Sequence, residues 1–166
     1  MRQLVIIAHD MRSAHNVGSL LRTADGFGAK VYLTGYTPYP AHKDDVRLPH
    51  LSAKLTRQIH KTALGAETNH KLWHYRPDLS ELLEDLKDDE FEIIALEQDE
   101  YSTSLFEYQP TEKIAILLGR EVEGIDPQLL KLCDRIVEIP MYGKKESFNV
   151  VESATVALYH CRMSDK

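Results

Sequence analysis

The stretch Ile139 to Val150, IPMYGKKESFNV, joins the end of an apolar run to the start of a helical pattern through a loop of Gly, Lys, Ser and Asn. A loop of this composition is typical of a ligand-binding turn. Two other polar motifs also adjoin apolar elements, GREVEG at Gly119 to Gly124 and NVGSLLRTA at Asn16 to Ala24. Three polar motifs at the ends of strands and helices predict one composite site.

Apolar runs rich in β-branched residues alternate with helical patterns along the chain. The runs lie at Leu4 to Ala8, Val31 to Thr34, Leu72 to Tyr75, Phe91 to Leu96, Ile114 to Leu118 and Ile136 to Ile139. Strands that are apolar nearly throughout need helices on both faces, so the alternation predicts an α/β domain with a mainly parallel sheet. We expect one domain over residues 1–166, without an appended RNA-binding domain, because no repeat or Ser/Gly linker divides the chain.

Helix-boundary signals indicate where the motifs sit. A first helix is predicted from Val17 to Phe27, capped by Asn16 and terminated by Gly28, with Arg22 off its apolar stripe. Further helices are predicted at Leu51 to Leu64, from Asp78 or Ser80 to Leu86, from Asp126 to Leu132, and from Val150 to Arg162. Asn149 followed three residues later by Glu152 resembles a capping box at the start of the last helix.

The charge of the chain limits the kinds of partner it can bind. A net charge of −6 argues against non-specific binding of nucleic acid, which depends on Lys and Arg neutralising phosphates. An RNA-binding role therefore requires a local basic patch, and one candidate lies between residues 43 and 61. Its members are Lys43, Arg47, Lys54, Arg57 and Lys61.

Other patterns exclude several classes of protein. Two cysteines, Cys133 and Cys161, favour buried reduced thiols, and no apolar run is long enough to span a bilayer, so we expect a cytoplasmic protein. His70 and His74 flank Trp73 without a zinc pattern, and no metal is expected. The absence of a G-x-G-x-x-G fingerprint argues against a nicotinamide dehydrogenase.

Taken together, the motifs match a known family. The order N-x-G-x-x-x-R-T-A, L-L-G-x-E-x-x-G and I-P-M-x-G-x-x-x-S-x-N-V resembles the SpoU (TrmH) group of SPOUT RNA ribose methyltransferases, as does KTALGAE at Lys61 to Glu67. The resemblance covers nearly the whole chain. It implies a parallel sheet flanked by helices, a deep C-terminal trefoil knot, and S-adenosylmethionine bound between the loops Leu118 to Gly124 and Ile139 to Asn149.

The resemblance also assigns site residues. Its cofactor contacts fall on Leu96, Gly119, Ile139, Met141, Phe148 and Val150. Its catalytic polar positions fall on Asn16, Arg22, Glu121, Ser147 and Asn149. Asn16 and Asn149 would orient the substrate or the cofactor loop, Glu121 would fix Arg22 or a ribose, and Ser147 would hold the knot loop.

Arg22 matches the arginine that this family places at the reaction centre, sometimes regarded as the base that activates the ribose hydroxyl. A guanidinium keeps its proton at any ordinary pH. We therefore expect Arg22 to stabilise the developing alkoxide and to bind an adjacent phosphate.

The resemblance further implies a homodimer in which the first-motif arginine enters the partner's active site, with the first and last helices in contact. The substrate would be tRNA or rRNA, and an accessory protein could supply recognition. Two alternatives stay open, namely a catalytically silent RNA-binding protein of the same fold and a methyltransferase that acts on a base nitrogen.

Overall fold

A sheet of seven parallel strands forms the centre of the chain, with helices on both faces. The computed structural model describes residues 1–164. The elements in chain order are β1 (Gln3–His9), α1 (Ala14–Phe27), β2 (Lys30–Thr34), α2 (Pro49–Ala63), a 3₁₀ helix (Ala66–Thr68), β3 (Trp73–Tyr75), α3 (Leu79–Asp88), β4 (Glu92–Leu96), β5 (Thr103–Ser104), β6 (Lys113–Leu118), α4 (Pro127–Leu130), β7 (Arg135–Glu138) and α5 (Val150–Met163).

The strand order is β3-β2-β1-β6-β4-β7-β5, and every neighbouring pair is parallel. The predicted α/β class with a parallel sheet is confirmed. β5 was missed because Thr103 and Ser104 form no apolar run. Parallel strands end at the same edge of a sheet, so the loops that follow β4, β6 and β7 lie next to one another.

Side chains of the central strands alternate between two apolar layers. On β6, Ile114 and Ile116 pack into the layer formed with α1 and α5, whereas Ala115 and Leu117 pack into the layer formed with α3. All four are fully buried. Burial of an aliphatic side chain contributes about 1.5–3 kcal/mol, which explains why these strands are apolar nearly throughout.

The first helix begins earlier than its sequence signals indicate. Ser13 is the N-cap of α1, and its hydroxyl accepts a hydrogen bond from the Asn16 amide at 3.2 Å. The prediction that Asn16 caps the helix is therefore wrong, because Ser13 already provides the cap. The Asn16 side chain is left available for other contacts. Gly28 ends the helix in a left-handed conformation, as predicted.

α1 crosses α2 at very short range. A Cβ on Gly18 would lie 2.2 Å from both the Ile59 carbonyl oxygen and the Thr62 hydroxyl. The Thr62 hydroxyl donates a hydrogen bond to the His15 carbonyl at 2.8 Å. The first-motif glycine and the threonine of KTALGAE therefore fix one helix against the other, which sets the position of the whole motif.

Neither cysteine of the chain forms a disulfide, and burial raises the pKa of the Cys133 thiol to about 11 and that of the Cys161 thiol to about 12. Within residues 1–164, each helix is too short or too polar to cross a bilayer.

Candidate active site

A cavity of about 270 Å³ opens at the carboxyl ends of β4, β6 and β7. Its walls come from the loops after these three strands and from the start of α5. They are formed by Leu96, Glu97, Gln98, Leu118, Gly119, Arg120, Glu121, Val122, Glu123, Gly124, Glu138, Ile139, Glu146, Ser147, Phe148, Val150 and Ser153. The cavity lies where ligands bind in open α/β sheets.

The loop after β6 is a tight hairpin. The amides of Arg120 and Gly124 each donate to the other residue's carbonyl, at 3.2 and 3.1 Å. A Cβ on Gly119 would lie 2.5–2.6 Å from backbone atoms of Gly124 and Ile125, so only glycine fits where the two arms cross. The Glu97 carboxylate accepts from the Ile125 amide at 2.9 Å and anchors the hairpin to the loop after β4.

The carboxylate of Glu121 connects the second motif to the start of α1. It accepts hydrogen bonds from the amides of Arg12 and Ser13, both at 3.0 Å, and from the side-chain amide of Asn16 at 3.1 Å. Burial raises the pKa of Glu121, but these hydrogen bonds lower it more, so the net pKa is below the ordinary value. Glu121 is therefore a fixed anion at neutral pH.

Asn149 adds the third motif to the same junction. Its side-chain amide donates to the Asn16 side-chain oxygen at 3.4 Å, while its own oxygen caps α5 by accepting from the Val151 amide at 2.8 Å. The cap prediction is confirmed, although the bond goes to Val151 and not to Glu152 as the capping box requires. The structure thus brings Asn16, Glu121 and Asn149 together beside the cavity.

Arg22 lies elsewhere. Its side chain is exposed and lines a separate cavity of about 480 Å³ with the turn at Leu64 to Ala66. Within one chain the Glu121 carboxylate accepts from donors at the start of α1 and not from Arg22. That Glu121 fixes Arg22 or a ribose stays a prediction. Among residues 1–164 no hydrogen bond or ion pair holds the Arg22 guanidinium. One chain alone therefore joins the three motifs beside the cavity but leaves Arg22 away from it.

The predicted cofactor contacts mostly line the cavity. Five of them do so, namely Leu96, Gly119, Ile139, Phe148 and Val150. Met141 is not among the residues that line it. Ser147 lines the cavity but is exposed, and its hydroxyl has no hydrogen-bond partner among residues 1–164.

Two wall residues after β4 escaped the sequence analysis. Glu97 anchors the hairpin, and the Gln98 side-chain amide donates to the Glu146 carbonyl at 2.8 Å. That bond holds the Ile139 to Asn149 loop against the loop after β4. The only sequence signal for these residues is their place directly after an apolar run, and without the strand order this signal does not connect them to the other motifs.

His9, at the end of β1, borders a neighbouring cavity that shares Arg120 and Gly124 with the first. Its ring lies 2.9 Å from the Thr34 hydroxyl and 3.3 Å from the Asp10 carboxylate. Burial lowers the pKa of His9, which favours a neutral ring held within the scaffold.

The basic patch is only partly available to a ligand. Lys43, Lys54, Arg57 and Lys61 are exposed. Arg47 is different, because its guanidinium binds both carboxylate oxygens of Asp45, at 2.9 and 2.6 Å, and lies 3.5 Å from the centre of the Tyr39 ring. The prediction that Arg47 is an RNA contact is therefore not supported by its environment. The Arg47 side chain stabilises its own loop and holds the pKa of Asp45 at about 2.

Within residues 1–164, no three metal-ligating side chains are grouped so that they could hold a metal ion. The electrostatics of the cavity instead come from carboxylates. Five glutamates and one arginine line its wall, which suits a ligand that carries positive charge.

Comparisons with known proteins find relatives that match nearly the whole length of this chain. The profile of the family described as the SpoU rRNA Methylase family matches residues 3–159. A mouse tRNA (guanosine(18)-2′-O)-methyltransferase, TARBP1, is 31% identical over 158 residues, which cover 95% of this chain and 9% of that protein. A tRNA (guanosine(18)-2′-O)-methyltransferase of Aquifex aeolicus is 25% identical over 161 residues, which cover 97% of this chain and 69% of that protein.

Solved structures share the architecture. An rRNA methyltransferase from Sinorhizobium meliloti, crystallised with S-adenosylmethionine, aligns with a TM-score of 0.78 at 18% identity. The alignment covers 96% of this chain and 56% of that one. At this identity the likeness concerns the fold. The chain spans less than two thirds of the length of several of the relatives it matches.

Proposed function

The chain belongs to the SpoU rRNA methylase family, and from this premise we propose that it transfers the methyl group of S-adenosylmethionine to a ribose 2′-hydroxyl of a tRNA or an rRNA. The observation that carries the proposal is the junction of Asn16, Glu121 and Asn149 beside the cavity. These residues come from three separate motifs, and a fold kept only for binding RNA has no need to join them.

The cavity suits S-adenosylmethionine in two respects. Its apolar wall, including Leu96, Ile139 and Phe148, can pack against an adenine ring, and its five carboxylates favour a cationic sulfonium. Gly119 lines the cavity, and its lack of a Cβ allows the arms of the hairpin to cross there. The cofactor would be held by Gly119, Ile139, Phe148 and the loop after β4. Ser147 and Val150 lie at the N-terminal end of α5, where they would also contact it.

The bound cofactor would supply an electrophilic methyl group on sulfur, and the residues of the chain would align the ribose oxygen with it. Such an in-line displacement gains most from orientation of the reactants. The Asn16–Glu121–Asn149 junction would hold the cavity wall and the start of α5 in register. Arg22 would stabilise the developing alkoxide and bind a neighbouring phosphate, because its guanidinium stays charged.

We infer that Arg22 reaches this site from the partner subunit of a homodimer. Two observations support the inference. Arg22 lines a separate cavity in its own chain, and α5 presents an exposed apolar stripe beside α1. The stripe consists of Val156, Tyr159 and Met163, which are 48%, 58% and 61% exposed and share one side of the helix.

Analytical sedimentation tests this interface. The variant Tyr159→Glu should sediment as a monomer, and the control Phe106→Glu should remain dimeric. A wild-type chain that is monomeric at micromolar concentration would oppose the interface.

The RNA-binding part of the proposal rests on Lys43, Lys54, Arg57 and Lys61, without Arg47. Their side chains project from one loop and from α2. Few basic groups imply a salt-sensitive affinity, so a steep loss of RNA binding between low and physiological salt is expected in filter-binding measurements. An affinity that does not change with salt would exclude this surface.

The proposal also includes the family's trefoil knot. In support, β7 inserts between β4 and β5, and the Gln98–Glu146 hydrogen bond draws the loop before α5 against the loop after β4. A crystal structure in which residues 139–164 pass beside, and not through, the preceding loops would overturn the knot.

Methyl transfer itself is tested with RNA from cells that lack the gene. The purified protein and labelled S-adenosylmethionine should restore one 2′-O-methylnucleoside, detected by mass spectrometry of total nucleosides. Substitution of the mapped nucleotide by its 2′-deoxy form should abolish transfer. Transfer that persists on the deoxy form would point to a base nitrogen, and the absence of S-adenosylmethionine binding in calorimetry would point to a silent RNA-binding protein.

A further inference from the structure

Another cavity lies at the edge of the sheet, away from the candidate active site. This edge cavity has a volume of about 540 Å³ and opens between β3 and the loop that precedes α2. Its lining consists of Tyr32, His42, Lys43, Asp44, His70, Trp73, His74, Tyr75 and Arg76. Six of these nine residues carry aromatic or imidazole rings, which is unusual for a cavity at a polar surface.

The rings form a pre-arranged wall. Tyr32 and His74 lie with their ring centres 5.7 Å apart on adjacent strands, and His42 and His70 lie 6.3 and 6.2 Å from the Trp73 ring. The Trp73 indole donates to the Glu67 carbonyl at 2.8 Å, which fixes the ring from behind. A wall that is already ordered loses little conformational entropy when a flat ligand stacks on it.

The residues that support these rings are also held by specific contacts. Tyr75 stacks on Tyr39 with ring centres 3.8 Å apart, and the Tyr75 hydroxyl donates to the Gly35 carbonyl at 3.2 Å. The Arg47 guanidinium lies over the Tyr39 ring and is held by Asp45. Arg47 therefore serves the edge cavity indirectly, by fixing the loop that carries His42 and Lys43.

The polar groups of the cavity suit a nucleotide. Within residues 1–164, the His70 and His74 rings make no hydrogen bond and the Lys43 ammonium has no ion-pair partner, so these groups are available to a ligand. Arg76 is held by Asp85 at 2.9 Å and Glu81 at 3.4 Å and contributes less. Stacking faces combined with a free cation are the features by which proteins bind single-stranded nucleic acid.

We propose that the edge cavity binds an unpaired nucleotide of the RNA substrate, with its base stacked on the imidazole and tyrosine rings and its phosphate near Lys43. The inference rests on the proposed RNA methylation. Three to four strand spacings separate β3 from β6 and β4, roughly 15–20 Å at about 4.8 Å each, so the bound nucleotide would be one some distance from the methylated ribose. The cavity would thus select RNAs with an unstacked nucleotide at that distance.

The test uses Trp73, the chain's one tryptophan, as a reporter in the cavity wall. A short single-stranded oligoribonucleotide of mixed sequence should quench Trp73 fluorescence, and the same strand annealed to its complement should quench it much less. The double variant H70A/H74A, altered at two exposed positions, should bind the single strand about tenfold more weakly. The control Phe106→Ala changes an exposed ring at the opposite edge of the sheet and should bind normally.

Equal quenching by the duplex, no quenching by RNA, or an undiminished affinity of H70A/H74A would overturn the proposal. A second readout separates it from the proposed function. With the mapped RNA substrate, H70A/H74A should raise KM about tenfold and leave kcat unchanged. Wild-type protein that quenches with RNA but transfers no methyl group would contradict the methyltransferase function alone. Normal transfer with an unchanged KM in the variant would contradict the edge cavity alone.

Discussion

Asn16 and Arg22 lie on the same helix and in the same sequence motif, yet their surroundings differ. Asn16, in the first turn of α1, contacts Glu121 and Asn149 and is part of a junction between three motifs. Arg22, further along the helix, is exposed and borders another cavity. The difference indicates that one motif serves two surfaces, one inside its own chain and one directed outward, as a shared active site in a dimer would require.

The largest expected effect concerns Arg22, on the outward-directed surface of α1. Arg22→Ala should lower the rate of methyl transfer by about 10²–10³-fold, because a charge-stabilising donor is lost from the transition state. The affinity for S-adenosylmethionine should stay unchanged, since Arg22 does not line the first cavity. Single-turnover transfer and calorimetry check the two expectations. A variant with full turnover would exclude Arg22 from the reaction.

Mixed dimers test whether Arg22 acts across the interface. Arg22→Ala and Glu121→Gln should each be inactive as homodimers. An equal mixture should recover about a quarter of wild-type turnover, because half of the dimers are mixed and each has one site with both residues intact. A mixture as inactive as its components would show that Arg22 acts within its own chain.

The next prediction concerns the stability of the hairpin that carries Glu121. Gly119→Ala should destabilise the fold by about 1–3 kcal/mol, because the added Cβ would lie 2.5–2.6 Å from backbone atoms that cannot easily move. Urea unfolding measures the loss. Gly143→Ala is the matched control, since nothing lies within 4 Å of its Cβ, and it should be close to neutral. An equal cost at both positions would mean that the crossing at Gly119 is not tight.

A smaller effect concerns the charge in the junction. Glu121 has a lowered pKa in the folded protein, so its charge contributes stability above its unfolded pKa, near 4.5, and this contribution is lost as pH falls through the folded pKa. Glu121→Gln should therefore be less stable than wild type at pH 7, and the gap should narrow below pH 4.5. Urea unfolding across this range measures it. Glu123→Gln should change less, because the ion pair of Glu123 with the Arg12 side chain is solvent-exposed. A gap that widens on acidification would contradict the assignment.

The smallest expected effect concerns where α1 begins. Ser13→Ala should cost about 1 kcal/mol by removing the cap. Ser19→Ala, within the same helix, should cost little and serves as the control. Thermal unfolding distinguishes the two. A neutral Ser13→Ala would show that the Ser13 hydroxyl does not stabilise the start of α1.

Much of the fold was predictable because its signals are local. The six predicted apolar runs became strands with ends shifted by about one residue, and Asp78, Asp126 and Asn149 cap the helices predicted after them. Gly28 ends α1 as expected. Caps and strand periodicity depend on neighbours within a few residues, so a single sequence contains them. Thr103 and Ser104 are the exception, because their pairing with β7 is dictated by position in the sheet.

The candidate site was predictable only in part. The motifs supplied Asn16, Glu121 and Asn149, and the structure brings them together. Glu97 and Gln98 were missed because their importance depends on β4 lying between β6 and β7. The environment of Arg47 was not predicted, because a basic residue in a basic segment gives no sign of the carboxylate and the ring that enclose it.

By itself, the sequence determined the alternation of strands and helices, the three polar motifs and the family to which they belong, since each is a matter of residue type and spacing along the chain. The tertiary structure decided which motif residues meet. It joined Asn16 to Glu121 across 105 positions, turned Arg22 away from them, and assembled rings from two strands and two loops into the edge cavity. The physical reason is that the order of strands in a parallel sheet is set by long-range packing, and the polar loops take their places from that order.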